Sequence, residues 1–266
     1  YIQKVKNEFL DEYDTALNLK IPKGYNFRIN GKLILPNLMQ KLVASRSVIE
    51  KRIGNFSGTG AGKTLSAILT SKIIDSKITI ITCPNSVVEN WSKNIISIFP
   101  DSIVCEKEIN KKIINLKLNN YLIFNYEYFQ QINSDEKTKA LLSLGKIDMI
   151  VIDEIHYTKQ RVVENVSKRK EMIKNLIVEA GKQNKELRVI GMSATPVINN
   201  LFEGRTMIEM ITGKEHSDLD TKANIPNCMK IYQSLSTLGT RWMPKYNIQF
   251  TQKEIEIDST SYVEEI

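Results

Sequence analysis

Short apolar runs alternate along this chain with longer amphipathic stretches. "ITIITC" (residues 78–83), "YLIFNY" (121–126), "DMIVID" (148–153) and "LRVIGMS" (187–193) are apolar or β-branched at successive positions, not at alternate ones. A strand that is apolar on both faces needs cover on both, and helices flanking a parallel sheet supply it. Helices are expected after Lys63, Asn85 and Arg161. The last contains "SKRKEMIKNLIVEAG", with Met172, Ile173, Leu176 and Ile177 at helical spacing and Gly181 as the expected stop. The pattern predicts an α/β fold with a central, mostly parallel sheet and helices on both faces.

Between "RIGNF", which reads as a short strand, and "LSAILTSKII", which reads as a helix, lies "SGTGAGKT", residues 57–64. Strand, glycine-rich loop and helix make up the context in which a backbone cradles phosphate. Ser57, Gly58, Thr59, Gly60, Ala61 and Gly62 would form the turn. Lys63 would reach the β- and γ-phosphates of ATP, and the Thr64 hydroxyl would ligate Mg²⁺. The helix beginning near Lys63 aims its positive end at the same anion. The usual motif opens with Gly or Ala; Ser57 stands there in this chain. The bland alternative is a surface loop that happens to end in Lys-Thr.

"IDMIVIDEIH" supplies the acidic partner. A buried strand ending in two carboxylates would put Asp153 on Mg²⁺ and let Glu154 orient and deprotonate an attacking water. His156 is a candidate for coupling the nucleotide state to other motifs. The alternative is that Asp153 and Glu154 open a solvated helix. Carboxylates at the carboxyl end of a parallel strand sit where such folds bind ligands.

"GTGAGKT" and "DEIH", with "GMSATPVINN" downstream, resemble the first RecA-like lobe of a superfamily-two helicase or translocase. Ser193, Ala194, Thr195 and Pro196 match that superfamily's third motif, which links hydrolysis to nucleic-acid binding. Thr195, Pro196 and Asn199 fit the Swi/Snf-type pattern TP-x-x-N. "TCPNSVVENW", with Cys83, Pro84 and Trp91, resembles that branch's second motif. "LIFNYEYF", with Tyr126 and Glu127, resembles its strand ending in Tyr-Glu, and Lys159 follows the acid box as it does there. "LPNLMQKLV" resembles the segment whose glutamine reads adenine, here Gln40, although Asn37-Leu38-Met39 replaces the usual Arg-containing approach. The resemblance covers about residues 33–266, with the motifs in the family's order.

It implies a DNA-dependent ATPase that moves on duplex DNA, with Pro84, Asn85, Tyr126, Thr195 and Asn199 near the polymer and His156, Ser193 and Thr195 coupling it to hydrolysis. It also implies a second RecA-like lobe carrying the arginine that completes the site. The expected organisation is an N-terminal extension over 1–32, the ATP-binding lobe over 33–240 and a link over 241–266. Arg241 lies in that link and is not assigned as the completing arginine. Residues 212–238 read as irregular. Rival readings are a strand-separating DNA or RNA helicase, a non-hydrolysing ATP-dependent scaffold, and a small-molecule kinase, for which arginines are too sparse. Trp91 reads as a core aromatic or a base-stacking group. Tyr126 reads as packing or as part of the polymer groove, and Lys168, Arg169 and Lys170 as a solvated face or a phosphate track.

Composition adds boundaries. The formal net charge of +7 suits a polyanionic partner, although a Lys-, Asn- and Ile-rich chain also reflects AT-rich codons. Three scattered cysteines, without CxxC spacing, argue against a disulfide framework or zinc site and for a reducing compartment, so an intracellular location is expected. No apolar run approaches the roughly 20 residues needed to span a bilayer.

Overall fold

The computed structural model describes residues 2–158, 167–197 and 200–245. Its main sheet has seven strands in the order β5-β6-β4-β7-β8-β3-β9. In chain order these are β3 (Arg52–Asn55), β4 (Ile78–Cys83), β5 (Ile103–Glu106), β6 (Asn120–Asn125), β7 (Met149–Asp153), β8 (Arg188–Met192) and β9 (Gly239–Thr240). Every neighbouring pair is parallel. The four apolar runs of the sequence become β4, β6, β7 and β8 at the centre of the sheet. Register is fixed by alternation: Ile150 and Ile152 face one core, while Met149 and Val151 face the other.

Helices cover both faces. On one side α2 (Leu38–Glu50), α3 (Lys63–Ile73) and α4 (Val88–Ile98) enclose a core that includes Val43, Ile68, Trp91, Ile123 and Val151. On the other, α5 (Ser134–Leu142), α6 (Lys168–Gln183), α7 (Leu201–Thr212) and α8 (Ile225–Leu238) pack on Leu122, Phe124, Ile150 and Val189. α1 (Ile2–Leu17) lies against α2 and buries Ala16 completely. A small antiparallel hairpin, β1 (Arg28–Ile29) and β2 (Lys32–Leu33), follows. It straddles the expected boundary at residue 32, and Asn26 N–H donates to the Ile98 carbonyl at 2.8 Å, so the extension is docked on the lobe.

Two expectations need correction. Gly181 does not end α6. The helix runs two residues further, to Gln183, and ends at Asn184, whose N–H still donates to the Ala180 carbonyl but whose backbone is extended. The stretch read as irregular contains α8, a helix of 14 residues. Its start carried a sequence signal: Asn224 accepts from the Asn227 N–H, and Pro226 sits in the first turn, where its missing N–H costs nothing. The signal was hard to see because Ile225, Met229 and Tyr232 are exposed, so the apolar periodicity does not mark a single buried face. Residues 161–166 of the helix expected after Arg161 lie outside the described residues.

Candidate nucleotide site

The phosphate loop leaves β3 at a buried polar anchor. Asn55 is fully buried; its Nδ2 donates to Ser66 Oγ at 2.9 Å and its Oδ1 accepts the Ser57 N–H at 3.3 Å. The strand's end is thereby tied to the helix beyond the loop. β9 extends the restraint, because Phe56 N–H donates to the Thr240 carbonyl at 2.8 Å and Gly58 N–H to the Trp242 carbonyl at 2.9 Å. Trp242 N–H in turn donates to Ser57 Oγ at 3.2 Å. Ser57 thus fits where Gly or Ala is usual: it is fully buried and its hydroxyl accepts a backbone N–H.

Gly62 starts α3 with φ of +80°, in the left-handed region where a side chain costs about 1–2 kcal/mol. A Cβ there would also collide with Gln40 Nε2. Gln40 is 7 % exposed; its Nε2 donates to the Gly62 carbonyl at 3.3 Å and its Oε1 accepts the Asn37 N–H at 2.9 Å. Asn37 Oδ1 accepts the Gln40 N–H at 2.9 Å, closing a capping box at the start of α2. Lys63 Nζ folds over the loop and donates to the carbonyls of Ser57 and Gly58, at 3.0 and 3.2 Å.

The two carboxylates lie at the carboxyl end of β7, beside Lys63, whose charge lowers the pKa of each. Asp153 is pushed up to about 6, chiefly by burial; the hydrogen bond from Trp91 works against the rise. Trp91 Nε1 donates to Asp153 Oδ2 at 2.8 Å. Glu154 is held below the ordinary carboxylate range, first by its hydrogen bond with His156 and against the pull of burial. Its backbone has φ of +52°, an uncommon conformation for a non-glycine residue. Tyr126 Oη donates to the Asp153 carbonyl at 2.7 Å and lies 3.3 Å from that of Glu154, so the strained turn is held from the neighbouring chain segment.

A polar chain leads away from Glu154. His156 Nδ1 lies 3.2 Å from Glu154 Oε2 and 3.1 Å from Ser193 Oγ, and Ser193 Oγ accepts the Thr195 N–H at 3.1 Å. The three residues expected to couple are therefore joined in series, with Ser193 between the other two. Pro84, Tyr126 and Thr195 all follow parallel strands and so share one edge of the sheet. Asn85 is exposed, with its Oδ1 accepting from Asn125 Nδ2 at 3.1 Å; Pro84 is half-buried and Thr195 exposed. Tyr126 does not fit the expectation of a polymer contact. It is 1 % exposed and its hydroxyl is spent on β7, so its side chain is unavailable to a polymer. Asn199 and Lys159 lie outside the described residues. The cluster 168–170 is neither face expected of it as a unit. Lys168 is exposed with Nζ on the Gln131 carbonyl at 3.0 Å, whereas Lys170 is 8 % exposed and its pKa is lowered by burial.

Three contributions were not foreseen: Asn55 lies in no motif, and the motifs containing Tyr126 and Trp91 do not tell that the Tyr126 hydroxyl and the Trp91 indole bond the acidic turn. Asn55 had one weak signal, a polar residue closing a short strand. The hydroxyl of Thr64 and the carboxylates of Asp153 and Glu154 are hard oxygen donors of the kind Mg²⁺ takes; between Gly58 and Gly62 the loop itself carries only the side chains of Thr59 and Ala61, and the Lys63 ammonium lies over it.

Fold and site together define a P-loop nucleotide-binding lobe of the superfamily-two helicase class. Residues 36–198 match the family model described as the type III restriction enzyme, res subunit. The chain belongs to that family and is a helicase-type ATPase domain. A protein of Acanthamoeba polyphaga mimivirus named as an ATP-dependent RNA helicase is 26% identical over 169 residues, 59% of this chain and 20% of the relative. The SWI2/SNF2 ATPase core of Sulfolobus solfataricus in complex with double-stranded DNA has the same fold, with a TM-score of 0.55 at 19% identity, covering 85% of this chain and 47% of that one. The same organism's SWI2/SNF2 ATPase core domain gives a TM-score of 0.56 at 16% identity, covering 84% and 48%. The chain thus spans a fifth of the viral relative and about half of each solved core. Among the described residues no helix is long and apolar enough to cross a membrane.

Proposed function

We propose that this chain is the ATP-binding first lobe of a DNA-dependent ATPase that moves on duplex DNA, working with a second RecA-like lobe of the same polypeptide. The observation that carries the reading is the contact chain from Glu154 through His156 and Ser193 to Thr195. It joins the candidate base to an exposed loop on the edge where the loops after β4 and β6 also emerge. A polymer pressing on that loop has a direct mechanical route to the catalytic carboxylate.

In this reading Lys63 leaves the Ser57 and Gly58 carbonyls to meet the β- and γ-phosphates of ATP, and the loop from Ser57 to Gly62 wraps the anion. Gln40 reads the base edge with its second amide hydrogen while the first stays on Gly62. Thr64 and Asp153 hold Mg²⁺, which when bound neutralises charge on the phosphate oxygens. Glu154 holds the attacking water and takes its proton. His156 orients Glu154 through the contact between its Nδ1 and Glu154 Oε2. Pro84, Asn85 and Thr195 line the polymer side, with backbone phosphates as the main contact, and the Swi/Snf-type pattern assigns Asn199 to the same contact. Solved cores of the same fold, one of them on double-stranded DNA, support duplex DNA as the polymer. The viral relative's name favours a second reading, a helicase acting on RNA.

The test is ATP turnover by the full-length polypeptide with duplex DNA, single-stranded DNA and RNA. Stimulation by duplex DNA at least tenfold above the other two is expected. Preferential stimulation by RNA transfers the conclusion to the second reading. In the same assay E154Q should bind ATP and fail to hydrolyse it, because the amide keeps the shape and loses the base; turnover within a few-fold of wild type removes Glu154 from that role.

A further inference from the structure

A buried tryptophan needs a partner for its indole N–H, and a backbone carbonyl is enough to satisfy it. Trp91 instead donates to Asp153 Oδ2 at 2.8 Å, although it is 1 % exposed and otherwise surrounded by the apolar core of α2, α3 and α4. A carboxylate offers about four acceptor sites over its two oxygens. Here one is filled by the indole N–H of a rigid ring locked in the core. A donor so fixed determines how the carboxylate is turned. Removing a group that orients a metal ligand in this way typically costs about 10-fold to 100-fold in metal affinity or activity.

The position of Trp91 adds a connection. It sits in the first turn of α4, the helix that begins three residues after the exposed Asn85. β4, which feeds that helix, pairs directly with β7, which carries Asp153. A displacement of α4 is therefore transmitted through one hydrogen bond to the carboxylate.

We propose that Trp91 is a positioning residue for Mg²⁺: its indole N–H sets the Asp153 carboxylate and ties that ligand to α4, behind the polymer-facing loop at Asn85. The proposal rests on the reading of Asp153 as the metal acid. It assigns Trp91 no contact with substrate or with the polymer.

The experiment measures binding of a fluorescent ATP analogue across a Mg²⁺ titration, in the wild-type protein and in W91F, which keeps an aromatic ring and removes the N–H. W91F should raise the half-saturating Mg²⁺ concentration about 10-fold to 100-fold. Its affinity for the analogue in EDTA should stay as in wild type. A merely structural tryptophan would lower the melting temperature and leave the Mg²⁺ midpoint where it was. A second measurement leaves Trp91 in place: in W242F, Mg²⁺ added to the nucleotide-bound chain should shift the remaining tryptophan emission, and D153A should abolish the shift. An unchanged midpoint in W91F, or an emission that ignores Mg²⁺ in W242F, overturns the proposal. A wild-type protein whose nucleotide affinity ignores Mg²⁺ overturns the metal-site reading and this proposal with it.

Discussion

Lys63 shows how one residue serves the fold and the site differently. Its ammonium bridges the Ser57 and Gly58 carbonyls, so it fills the loop it is expected to vacate for phosphate. K63A removes two hydrogen bonds from a half-buried group, worth about 1 kcal/mol each in net stability or somewhat more because the donor is charged. It also removes the charge that phosphate needs. A fall in melting temperature of a few degrees, with nucleotide binding lost, is the expected pair of results in thermal denaturation and equilibrium titration. Retained affinity would remove Lys63 from the site. The cysteines give a second prediction at this scale. Cys83 is fully buried beside Asp153 and its thiol is pushed far up, first by burial and then by that carboxylate; Cys105 is also buried and also raised. Cys228 is exposed on α8. Thiol alkylation of the native chain followed by peptide mapping should label Cys228 and leave the other two untouched until denaturant is added.

Among the elements, α2 matters more than its length suggests. Its capping box is also the hinge of the phosphate loop, because the Gln40 that closes the box donates to Gly62. Loss of an N-cap of this type costs about 1 kcal/mol. N37A should therefore lower stability by about that amount in a urea melt and, by freeing Gln40, weaken nucleotide binding several-fold. If stability falls while binding holds, the cap and the loop are independent. The turn after β7 is the other element with two duties. Glu154 adopts a left-handed backbone there, while Tyr126 from the segment after β6 holds the Asp153 carbonyl. Neither motif contains this information: "DEIH" names the carboxylates, and only the packed neighbour shows what keeps them turned toward the loop.

At the scale of the molecule, every strand neighbour in the main sheet is parallel, so all the loops that follow strands gather at one edge. Polymer binding there should be carried by phosphate contacts and weaken steeply with salt, as counterions are released. Affinity measured from 50 to 200 mM salt should fall at least tenfold; a flat profile would point to a different surface. In the proposed reading this lobe carries the cradle, metal acid and base, and a second lobe supplies the opposing wall. An arginine supplied from across such a cleft is typically worth about 10³ to 10⁵ in rate. Residues 1–266 alone should consequently turn over ATP only slowly, with little response to DNA, and a longer polypeptide should restore both. Brisk monomeric turnover would mean that a residue within this chain completes the site, and Arg241, exposed just beyond β9, is the first to mutate.

The sequence by itself determined the class of fold and named the residues of the candidate site. Runs apolar on both faces demand a covered parallel sheet, and "SGTGAGKT" and "DEIH" each encode a local geometry, a glycine-permitted turn and a strand-end pair of acids, that forms within a few residues. Tertiary structure alone decided what holds those pieces in register. Trp91 lies 62 positions from Asp153 and Trp242 lies 185 from Ser57, yet each pair is hydrogen-bonded. Tyr126 could be read equally as packing or as a polymer contact until the sheet set its hydroxyl on the Asp153 carbonyl. Helix α8 stayed hidden because part of its apolar surface faces outward, so periodicity could not report it. Contacts between residues distant in the chain depend on strand order, and strand order leaves no periodic trace in the sequence.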